Sequence, residues 1–309
     1  MEVGGTTMKF LFTCDVELTS IPENRETDAV AHELLRTGLP RILDLCTRFD
    51  LPATFYFTAN TIEVRPECLD IVRAQGHEVG CHGLRHNPEE SFDSLGYTEQ
   101  LKSLARARDI LDRHGAGGVR AFRAPEARIN TDTVRALSTL GFTSDSSICP
   151  QRFDGLLSRG LRRKLRWMAA PRRPYFLSTS SIIAPGDTGV LEIPISALLL
   201  PFIGTAMRVS PGLFRLLRRT LFWEARRRPE FPLVFLVHPN ECLDYAAPAD
   251  ASAPGGAIVS DRLRTSLKLR HLGAPSVRLL EELLRLARRT GFDFTTASRF
   301  RHEFRGGAS

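Results

Sequence analysis

The sequence predicts an α/β fold in which parallel strands form one sheet that closes, or nearly closes, into a barrel. Short β-rich runs alternate with segments of helical period, and no linker separates them. The 309 residues are 42% hydrophobic and 25% charged, which is typical of a folded protein with a sizeable core. Repeated βα units imply a parallel sheet, and this many units in one chain favour a barrel.

The first half of the chain alternates β-rich runs with runs whose apolar residues have helical spacing. The predicted elements are, in order, a strand at KFLFTCD (9–15), a helix near 28–49, a strand at PATFYFT (52–58), a helix over 66–75, a strand at HEVGC (77–81), a helix over 98–114, a strand ending at AFRA (121–124), a helix near 131–140 and a strand at FTSDSS (142–147).

The second half contains a long insertion and then returns to the same alternation. Its predicted elements are VLEIPI (190–195), a strand at PLVFLVH (232–238), a helix over 276–290 and a closing strand at DFTTA (293–297). We expect one domain over residues 9–300, with a basic and apolar insertion at 151–230. Residues 1–8 are expected to be a flexible extension, AAPADASAPGGA (246–257) a mobile loop, and 301–309 a tail.

The net charge of +7 is concentrated in two segments, RGLRRKLRWMAAPRR (159–173) and RVSPGLFRLLRRTLFWEARRR (208–228). Arginines interleaved with Leu, Phe and Trp are more typical of helices lying on an anionic bilayer than of nucleic-acid grooves. Solvated helix faces give the same pattern. Peripheral contact with an anionic membrane and a solvated face therefore both remain open, and no nucleic-acid partner is expected.

Several features predict a cytoplasmic protein. Peripheral binding to the cytoplasmic face of the inner membrane remains open. The best apolar run, VLEIPISALLLPFIG, is interrupted by Pro194 and Pro201 before it reaches the roughly 18 residues of a spanning helix. The six cysteines include no CxxC pair, and MEVGGTTMKF lacks the charged-then-apolar order of a signal peptide. We therefore expect a reducing compartment.

Polar residues recur at or just beyond the ends of the predicted strands, where a βα barrel builds its active site. They are Asp15, Glu17, His82, His86, Arg123, Asp145 and His238. In CDVEL (14–18) the strand period of two directs the two acids to the same side, so Cys14, like Cys81 in its own strand, should face the core. His82 and His86 would share a face if they lay on a helical turn, as two imidazoles must to bind one ion.

The ordered segments TCDVE, HGLRH, FRAP, SDSS and FLVH resemble the motifs of the polysaccharide deacetylases, the NodB-homology fold, over roughly residues 9–300. The resemblance includes the branch that deacylates lipid-linked sugars in cell-envelope biosynthesis. It implies an incomplete (β/α)7-type barrel with one divalent metal, and a hydrolase of non-peptide carbon–nitrogen bonds that removes an N-acyl group from an amino sugar. Zinc is the expected ion, with cobalt, nickel and manganese as alternatives.

The resemblance also implies a role for each polar residue. Glu17, His82 and His86 would hold the metal, and Asp15 would be the general base. Arg123 would hold and electrostatically tune Asp15, and His238, oriented by Asp145, would be the general acid. The chemistry requires such groups, because amide hydrolysis needs an activated water and a protonated leaving amine, and a three-ligand metal lowers the pKa of bound water to about 7.

The sequence departs from the family pattern at three points. Val16 separates the two acids, Gly83 stands where Ser or Thr is usual, and the fourth motif has no tryptophan. The catalytic candidates also have structural alternatives, since Arg123 is compatible with packing, Asp145 with a helix cap and His238 with a satisfied core histidine.

Three functions from different classes therefore remain open. The first is a metal-dependent N-deacylase, acetyl or formyl, acting on a membrane-linked amino sugar. The second is a soluble amidase for a small nitrogenous compound. The third is a non-catalytic glycan- or lipid-binding relative, which is disfavoured because a binder has no need of Asp15 and His238.

Overall fold

The computed structural model of the chain describes residues 7–23, 25–87, 90–151, 165–245 and 266–304. Its strands are β1 (Lys9–Val16), β2 (Thr19–Ser20), β3 (Arg25–Glu26), β4 (Ala53–Phe57), β5 (Glu78–Cys81), β6 (Ala121–Phe122), β7 (Ser144–Asp145), β8 (Tyr175–Phe176), β9 (Leu191–Glu192), β10 (Ala197–Leu198), β11 (Leu200–Pro201), β12 (Leu233–Val237) and β13 (Asp293–Phe294). Its α-helices are α1 (Asp28–Glu33), α2 (Leu39–Arg48), α3 (Ala59–Val64), α4 (Glu67–Ala74), α5 (Tyr97–Arg113), α6 (Thr131–Thr139), α7 (Gly204–Val209), α8 (Pro211–Arg227), α9 (Ala274–Thr290) and α10 (Ala297–Glu303).

The main sheet has the strand order β12-β1-β4-β5-β6-β7-β9-β8, and β13 pairs with the start of β1. All neighbours from β12 to β9 are parallel, whereas β8 is antiparallel to β9. Within the described residues, β12 and β8 end the path, so the curled sheet is an incomplete barrel. The predicted fold class is confirmed, and the carboxyl ends of its parallel strands share one edge.

Strand β1 is central because it is buried on both faces, as the continuous apolar run KFLFTCDV indicates. The outward-facing residues pack under the helices; they are Phe10, Phe12, Cys14 and Val16. On the other face, Leu11 packs inside the barrel. The same alternation directs Thr13 and Asp15 inward, so β1 carries its acid into the barrel at its carboxyl end.

The predicted helix over 28–49 is present as α1 and α2 joined by a π-helical segment, Leu34–Gly38. Gly38 lies against the turn that follows β12. A Cβ atom at this position would be 2.8 Å from the Pro239 carbonyl oxygen. A larger residue would therefore displace the turn that carries His238.

The described part of the predicted insertion forms strands β8 to β11 and helices α7 and α8, and residues 152–164 lie outside that part. The inner face of α8 joins the barrel core, since the Phe214 ring is stacked on Phe202 with centroids 5.2 Å apart. Phe222 similarly contacts Phe292, with centroids 4.8 Å apart. The region predicted as an insertion thus contributes strands β8 and β9 to the main sheet and also packs on the barrel through one face of α8.

Parts of the predicted termini and loops fall outside the described residues. These are the first six residues of the N-terminal extension, the 246–257 loop and the last five residues of the chain. Helix α10 extends to Glu303, so regular structure continues into the segment that was expected to be a tail. Among the described helices, none combines the length and apolar character that crossing a bilayer requires.

Candidate metal centre

Glu17, His82 and His86 converge at the carboxyl edge of the sheet. Glu17 directly follows β1 and His82 directly follows β5, while His86 lies on the loop beyond β5. The Oε2 atom of Glu17 lies 3.3 Å from His86 Nε2 and 3.7 Å from His82 Nε2. One ligand atom from each residue lies within 4.8 Å of the others, which is compatible with binding of one ion by all three.

The loop that carries the two histidines is not a helical turn, so their four-residue spacing alone does not bring them together. Gly83 has a φ of +79°, a left-handed conformation that glycine adopts without strain. A Cβ atom there would also lie 3.2 Å from Phe92 and 3.3 Å from Pro125. This glycine, where the family pattern has Ser or Thr, therefore lets the chain turn back and bring His86 toward His82.

Buried Glu90 holds the same loop from behind. Its carboxylate accepts hydrogen bonds from the backbone amides of Leu84, at 2.9 Å, and Arg85, at 2.5 Å. The Ser103 hydroxyl of α5 donates to the same carboxylate. The backbone between the two histidines is therefore fixed to a neighbouring helix.

The ring orientation of His82 is set by the strand beside it. His82 is 1% exposed, and its Nδ1 lies 2.8 Å from the Arg123 carbonyl oxygen. A carbonyl can only accept, so Nδ1 carries a proton and donates it, and Nε2 is the ring nitrogen that faces Glu17. Metal-binding histidines are typically held in this way through their second nitrogen.

The donor set fits a divalent metal. Glu17 Oε2 is buried and makes no hydrogen bond, although two imidazole nitrogens lie beside it. Burial opposes ionisation, but His86 and His82, with a smaller effect from His238, lower the pKa of Glu17 to about 2. An ionised buried oxygen without a hydrogen bond is costly unless a cation binds it. One carboxylate and two imidazoles form a typical three-ligand catalytic zinc site.

Asp15 lies next to this group and is held by Arg123. Arg123 Nη1 donates to Asp15 Oδ1 at 2.8 Å, and Asp15 Oδ2 lies 3.8 Å from His82 Nε2. Val16, between the two acids, is fully buried in the core, as the alternation predicts. The carboxylates of Asp15 and Glu17 therefore both face His82 Nε2, one of them held by an arginine.

Arg123 is completely buried and joins three strands of the sheet. It donates from Nη1 to Thr13 Oγ1 at 2.9 Å, from Nε to the Ser146 carbonyl at 2.8 Å, and from Nη2 to Ser146 Oγ at 2.8 Å. Its guanidinium lies 4.4 Å from the centre of the Tyr56 ring. These contacts fix the guanidinium and, through it, one oxygen of Asp15.

Asp145 is paired with Glu192, a residue that the sequence analysis did not identify. The two are register partners on β7 and β9, and both are fully buried. Ser147 Oγ donates to Asp145 Oδ1 at 2.5 Å, and the Ile148 amide donates to Glu192 Oε1 at 2.9 Å. Burial raises the pKa of Asp145 to about 6, and burial together with the neighbouring Asp145 carboxylate raises the pKa of Glu192 well above its ordinary value.

The carboxylate that contacts His238 is Glu241, and the prediction that Asp145 orients this histidine is wrong. His238 Nδ1 lies 3.1 Å from Glu241 Oε1, on the turn Pro239–Cys242 directly after β12. Burial opposes protonation of His238, but Glu241, Glu17 and Asp15 together raise its pKa to about 9. His238 therefore lies within the electrostatic field of the predicted metal centre.

The missed acids had weak signals in the sequence. Glu241 stands three residues after His238, a separation that places a side chain back on the histidine in a turn. Glu192 is a single acid within an apolar run, and a buried acid is rare unless it is paired. The prediction that Cys14 and Cys81 belong to the core is confirmed, because both are fully buried and burial raises the pKa of their thiols.

Comparison with known sequences bears out the predicted resemblance. Residues 28–144 match the sequence model of the family described as polysaccharide deacetylase. Over 117 residues, the chain is 32% identical to a peptidoglycan deacetylase of Helicobacter pylori, an alignment that covers 38% of this chain and 39% of that protein. The match thus spans well under half of the curated relative.

Comparison with solved structures bears out the fold over nearly the whole chain. A Mycobacterium smegmatis protein described as a polysaccharide deacetylase superposes with a TM-score of 0.61 at 18% identity, covering 98% of this chain and 92% of that one. The structure titled Puue allantoinase superposes with a TM-score of 0.63 at 16% identity, covering 97% of this chain and 91% of that one. At these identities the likeness concerns the fold alone.

Proposed function

We propose, from the chain's resemblance to the polysaccharide deacetylase family, that it is a metal-dependent hydrolase that removes an acetyl or formyl group from the nitrogen of an amino sugar. The observation that carries the proposal is the position of His82 Nε2, which lies 3.7 Å from Glu17 Oε2 and 3.8 Å from Asp15 Oδ2. Two carboxylates beside one imidazole allow one acid to bind a metal while the other, held by Arg123, handles a proton.

Glu17, His82 and His86 would hold the divalent ion, with zinc as the proposed metal and cobalt, nickel or manganese as alternatives. When bound, such an ion supplies Lewis-acid polarisation of the acyl oxygen and lowers the pKa of water. Burial of Glu17 and His82 keeps bulk water away from two of the three ligands. His86 is the more accessible ligand, with 21% of its side chain exposed.

Asp15 would act as the general base. Its Oδ1 is occupied by Arg123, so Oδ2, which faces His82, is the oxygen that takes the proton of the attacking water. Because the guanidinium of Arg123 is itself fixed by Ser146 and Thr13, the base is held in one orientation before substrate arrives. Such preorganisation lowers the cost of reaching the transition state.

His238 would protonate the leaving amine. Its Nδ1 contacts Glu241, which leaves Nε2 as the ring nitrogen for proton transfer. Because its pKa is raised to about 9, the His238 ring is protonated at neutral pH, and Nε2 then carries the proton to be transferred. About a quarter of its side chain is exposed, so a substrate nitrogen can approach it.

The proposed substrate is a lipid-linked amino sugar, used in cell-envelope biosynthesis at the cytoplasmic face of the inner membrane. The outer face of α8 supports this location, because Leu213, Leu216 and Trp223 are each more than half exposed. Arg215 and Arg219 are exposed on the same helix. Each basic residue near an anionic surface contributes about 1 kcal/mol, and exposed apolar side chains add to this by insertion.

A soluble amidase for a small nitrogenous compound is the alternative enzyme. The fold is shared with the structure titled allantoinase and does not separate the two functions. The exposed apolar face of α8 favours the lipid-linked substrate, since a soluble amidase has no need of it. A non-catalytic binder is disfavoured because it needs neither the ordered base Asp15 nor the acid His238.

The experiment compares hydrolysis of three kinds of substrate by the zinc-loaded protein, measured as release of acetate or formate from the N-acyl sugars and as disappearance of each small amide. These are polyprenyl-phosphate-linked N-acetyl and N-formyl amino sugars in anionic vesicles, soluble chitin oligomers, and a panel of small amides that includes allantoin. We expect kcat/KM to be highest for a lipid-linked sugar. Preference for a small amide would replace the proposal with the soluble amidase, and hydrolysis of none of them would favour the binding relative.

A further inference from the structure

Glu241 lies between His238 and a buried arginine from the insertion. Its Oε1 is 3.1 Å from His238 Nδ1, and its Oε2 accepts a hydrogen bond from Arg208 Nε at 2.6 Å. Glu241 and Arg208 are each 1% exposed. The two oxygens of one carboxylate therefore connect a catalytic candidate to a residue of α7.

Arg208 is anchored at its far end as well. Its Nη1 donates to the carbonyl oxygens of Lys268, at 2.9 Å, and Arg270, at 2.8 Å. The arginine is therefore held between the segment that precedes α9 and the turn after β12, and its guanidinium has a fixed direction. Burying an arginine in this way is costly, and breaking such a pair leaves an unpaired charge inside the protein.

Helix α7 is shaped to accept the Glu241 carboxylate. A Cβ atom at Gly204 would lie 2.6 Å from Glu241 Oε2, closer than non-bonded atoms approach. The hydroxyl of Thr205 lies 3.3 Å from Glu241 Oε1. Gly204 is therefore required for the close approach of this helix to the carboxylate.

We propose that Arg208 and Glu241 are positioning residues for His238, so that the insertion completes the active site in addition to providing the exposed face of α8. Arg208 fixes the carboxylate, the carboxylate accepts a hydrogen bond from His238 Nδ1, and the ring then presents Nε2 to the substrate. The proton that leaves Nε2 goes to the departing amine, and Nδ1 keeps its own throughout. This inference rests on the proposed function, in which His238 is the general acid.

The ionisation of Glu241 agrees with this arrangement. Burial would raise its pKa, but Arg208 and His238 lower it below the ordinary value, so the carboxylate is charged. Glu17 and Asp15 also raise the pKa of His238. Both stay unchanged in the variants below, so a difference in His238 is attributable to the Arg208–Glu241 pair.

The first test follows the His238 ring by ¹⁵N NMR in the full-length, zinc-loaded protein, with His238→Gln to assign the signals. The variants are Glu241→Gln, Arg208→Met and Arg208→Lys. The control is Arg172→Met, which breaks the Arg172–Glu224 pair of the same insertion, where both contacts are 2.6 Å. We expect the His238 titration midpoint to fall by about tenfold or more in proton affinity in Glu241→Gln, to move toward higher pH in Arg208→Met, where a nearby cation is lost, and to stay in place in Arg208→Lys and in the control.

The second test is kinetic, on the best N-acyl substrate. Glu241→Gln and Arg208→Met should lower kcat by roughly 10- to 100-fold, the scale usual for loss of a carboxylate that orients a histidine through its second ring nitrogen. KM should stay within about threefold of the wild-type value. Gly204→Ala should do the same by displacing the carboxylate, although it removes no charged group. The alkaline limb of the kcat profile should move to lower pH in Glu241→Gln and stay in place in Arg172→Met.

The two measurements separate this inference from the proposed function. If folded Glu241→Gln and Arg208→Met proteins keep the wild-type His238 titration and kcat, the positioning role is overturned. If the wild type releases no acyl group from any substrate, the proposed function fails. If the His238 titration is nevertheless shifted in Glu241→Gln, the contact between His238 and Glu241 is supported. Only the catalytic purpose of that contact is then overturned. Unfolding of Arg208→Met leaves Gly204→Ala and Glu241→Gln to decide.

Discussion

The carboxylate of Glu17 and the imidazole of His86 meet at 3.3 Å, although they come from strands that are not neighbours in the sheet. Strand β4 lies between β1 and β5, and the meeting is possible because both residues extend beyond the carboxyl ends of their strands. Around this contact lie the second imidazole and the Asp15–Arg123 pair. The proposed chemistry depends on this geometry, and each part of it gives a measurable prediction.

Removal of either imidazole should abolish tight metal binding. We expect isothermal titration of zinc into the metal-stripped protein to show one tight site, which is lost in His82→Ala and in His86→Ala because two ligands do not hold the ion. His302→Ala, an exposed histidine on α10, is the control and should bind as the wild type does. Undiminished affinity in both site variants would place the metal elsewhere.

Asp15→Asn should separate the base from the ligands. The amide keeps the shape of the side chain and accepts the Arg123 hydrogen bond, but it does not take a proton from water. We expect a normal zinc content by elemental analysis and a kcat lower by roughly 100-fold or more. Loss of metal together with activity would mean that Asp15 is a ligand and that its role has been exchanged with that of Glu17.

The rate of acyl release should decline at high pH. The pKa of His238 is raised to about 9, and a general acid works only in its protonated form. We therefore expect kcat to be maintained up to about pH 9 and to fall about tenfold per pH unit above it. A His238→Gln variant should lose most of its activity and show no such limb. A wild-type limb near pH 6.5 would mean that the carboxylates do not act on this histidine.

The Asp145–Glu192 pair should make the protein less stable as the pH rises. Burial raises the pKa of Glu192 above its ordinary value of about 4.3. The folded chain therefore keeps a proton on Glu192 at pH values where the unfolded chain has released it. Because the folded state then binds more protons, the free energy of unfolding falls as pH increases through this window. In Glu192→Gln, where the amide donates to Asp145 without titrating, the fall should be smaller.

Urea unfolding of both proteins between pH 5 and pH 8 measures this difference directly. Glu230→Gln, at an exposed position, serves as the control and should follow the wild type. A wild-type curve and a Glu192→Gln curve that run parallel across the whole range would show that the pair holds no extra proton.

The exposed face of α8 should bind anionic vesicles. Leu216→Ser with Trp223→Ala removes apolar insertion, and Arg215→Glu with Arg219→Glu reverses the charge. Arg218 is unsuited to this test, because only 12% of its side chain is exposed and it lies 3.2 Å from Glu282. We expect co-sedimentation of the wild type at low salt, weakened by high salt and lost in both double variants, with hydrolysis of a soluble substrate retained.

Val64→Ser, at an exposed apolar position on α3, is the matched control and should sediment as the wild type does. Equal binding of the wild type to neutral and anionic vesicles, or no binding at low salt, would make the α8 face a solvated surface. The lipid-linked substrate would then lose its main structural support.

The sequence predicted the parallel strands of the sheet, though not the antiparallel edge strand β8, because strand periodicity depends on local alternation. Asp15, Val16 and Glu17 lie as the period of two requires, since one pleat fixes all three side chains. The long helices were identified for the same reason, whereas the short helices α3 and α10 were not. A six- or seven-residue helix shows too few turns for its apolar period to be recognised.

The predicted site residues lie together at the carboxyl edge of the sheet, as expected. The cause of the His82–His86 convergence and the acid that contacts His238 differ from the prediction. The spacing of His82 and His86 suggested a helical turn, whereas Gly83, with its left-handed backbone, produces their convergence in a loop. Asp145 was expected beside His238, yet β9 brings Glu192 to Asp145 and the turn brings Glu241 to His238. Which acid contacts which residue depends on tertiary packing, and the periodicity of the sequence carries no information about it.

The measurement that tests the central proposal most directly is acyl release by the metal-stripped protein before and after addition of one equivalent of zinc. We expect no release of acetate or formate from N-acyl amino sugars by the stripped protein, and recovery of activity on reloading. Glu17→Gln, which replaces one ligand oxygen without changing the size of the side chain, should not recover. Equal activity of the stripped and reloaded proteins, or full recovery by Glu17→Gln, would contradict a catalytic metal held by Glu17, His82 and His86.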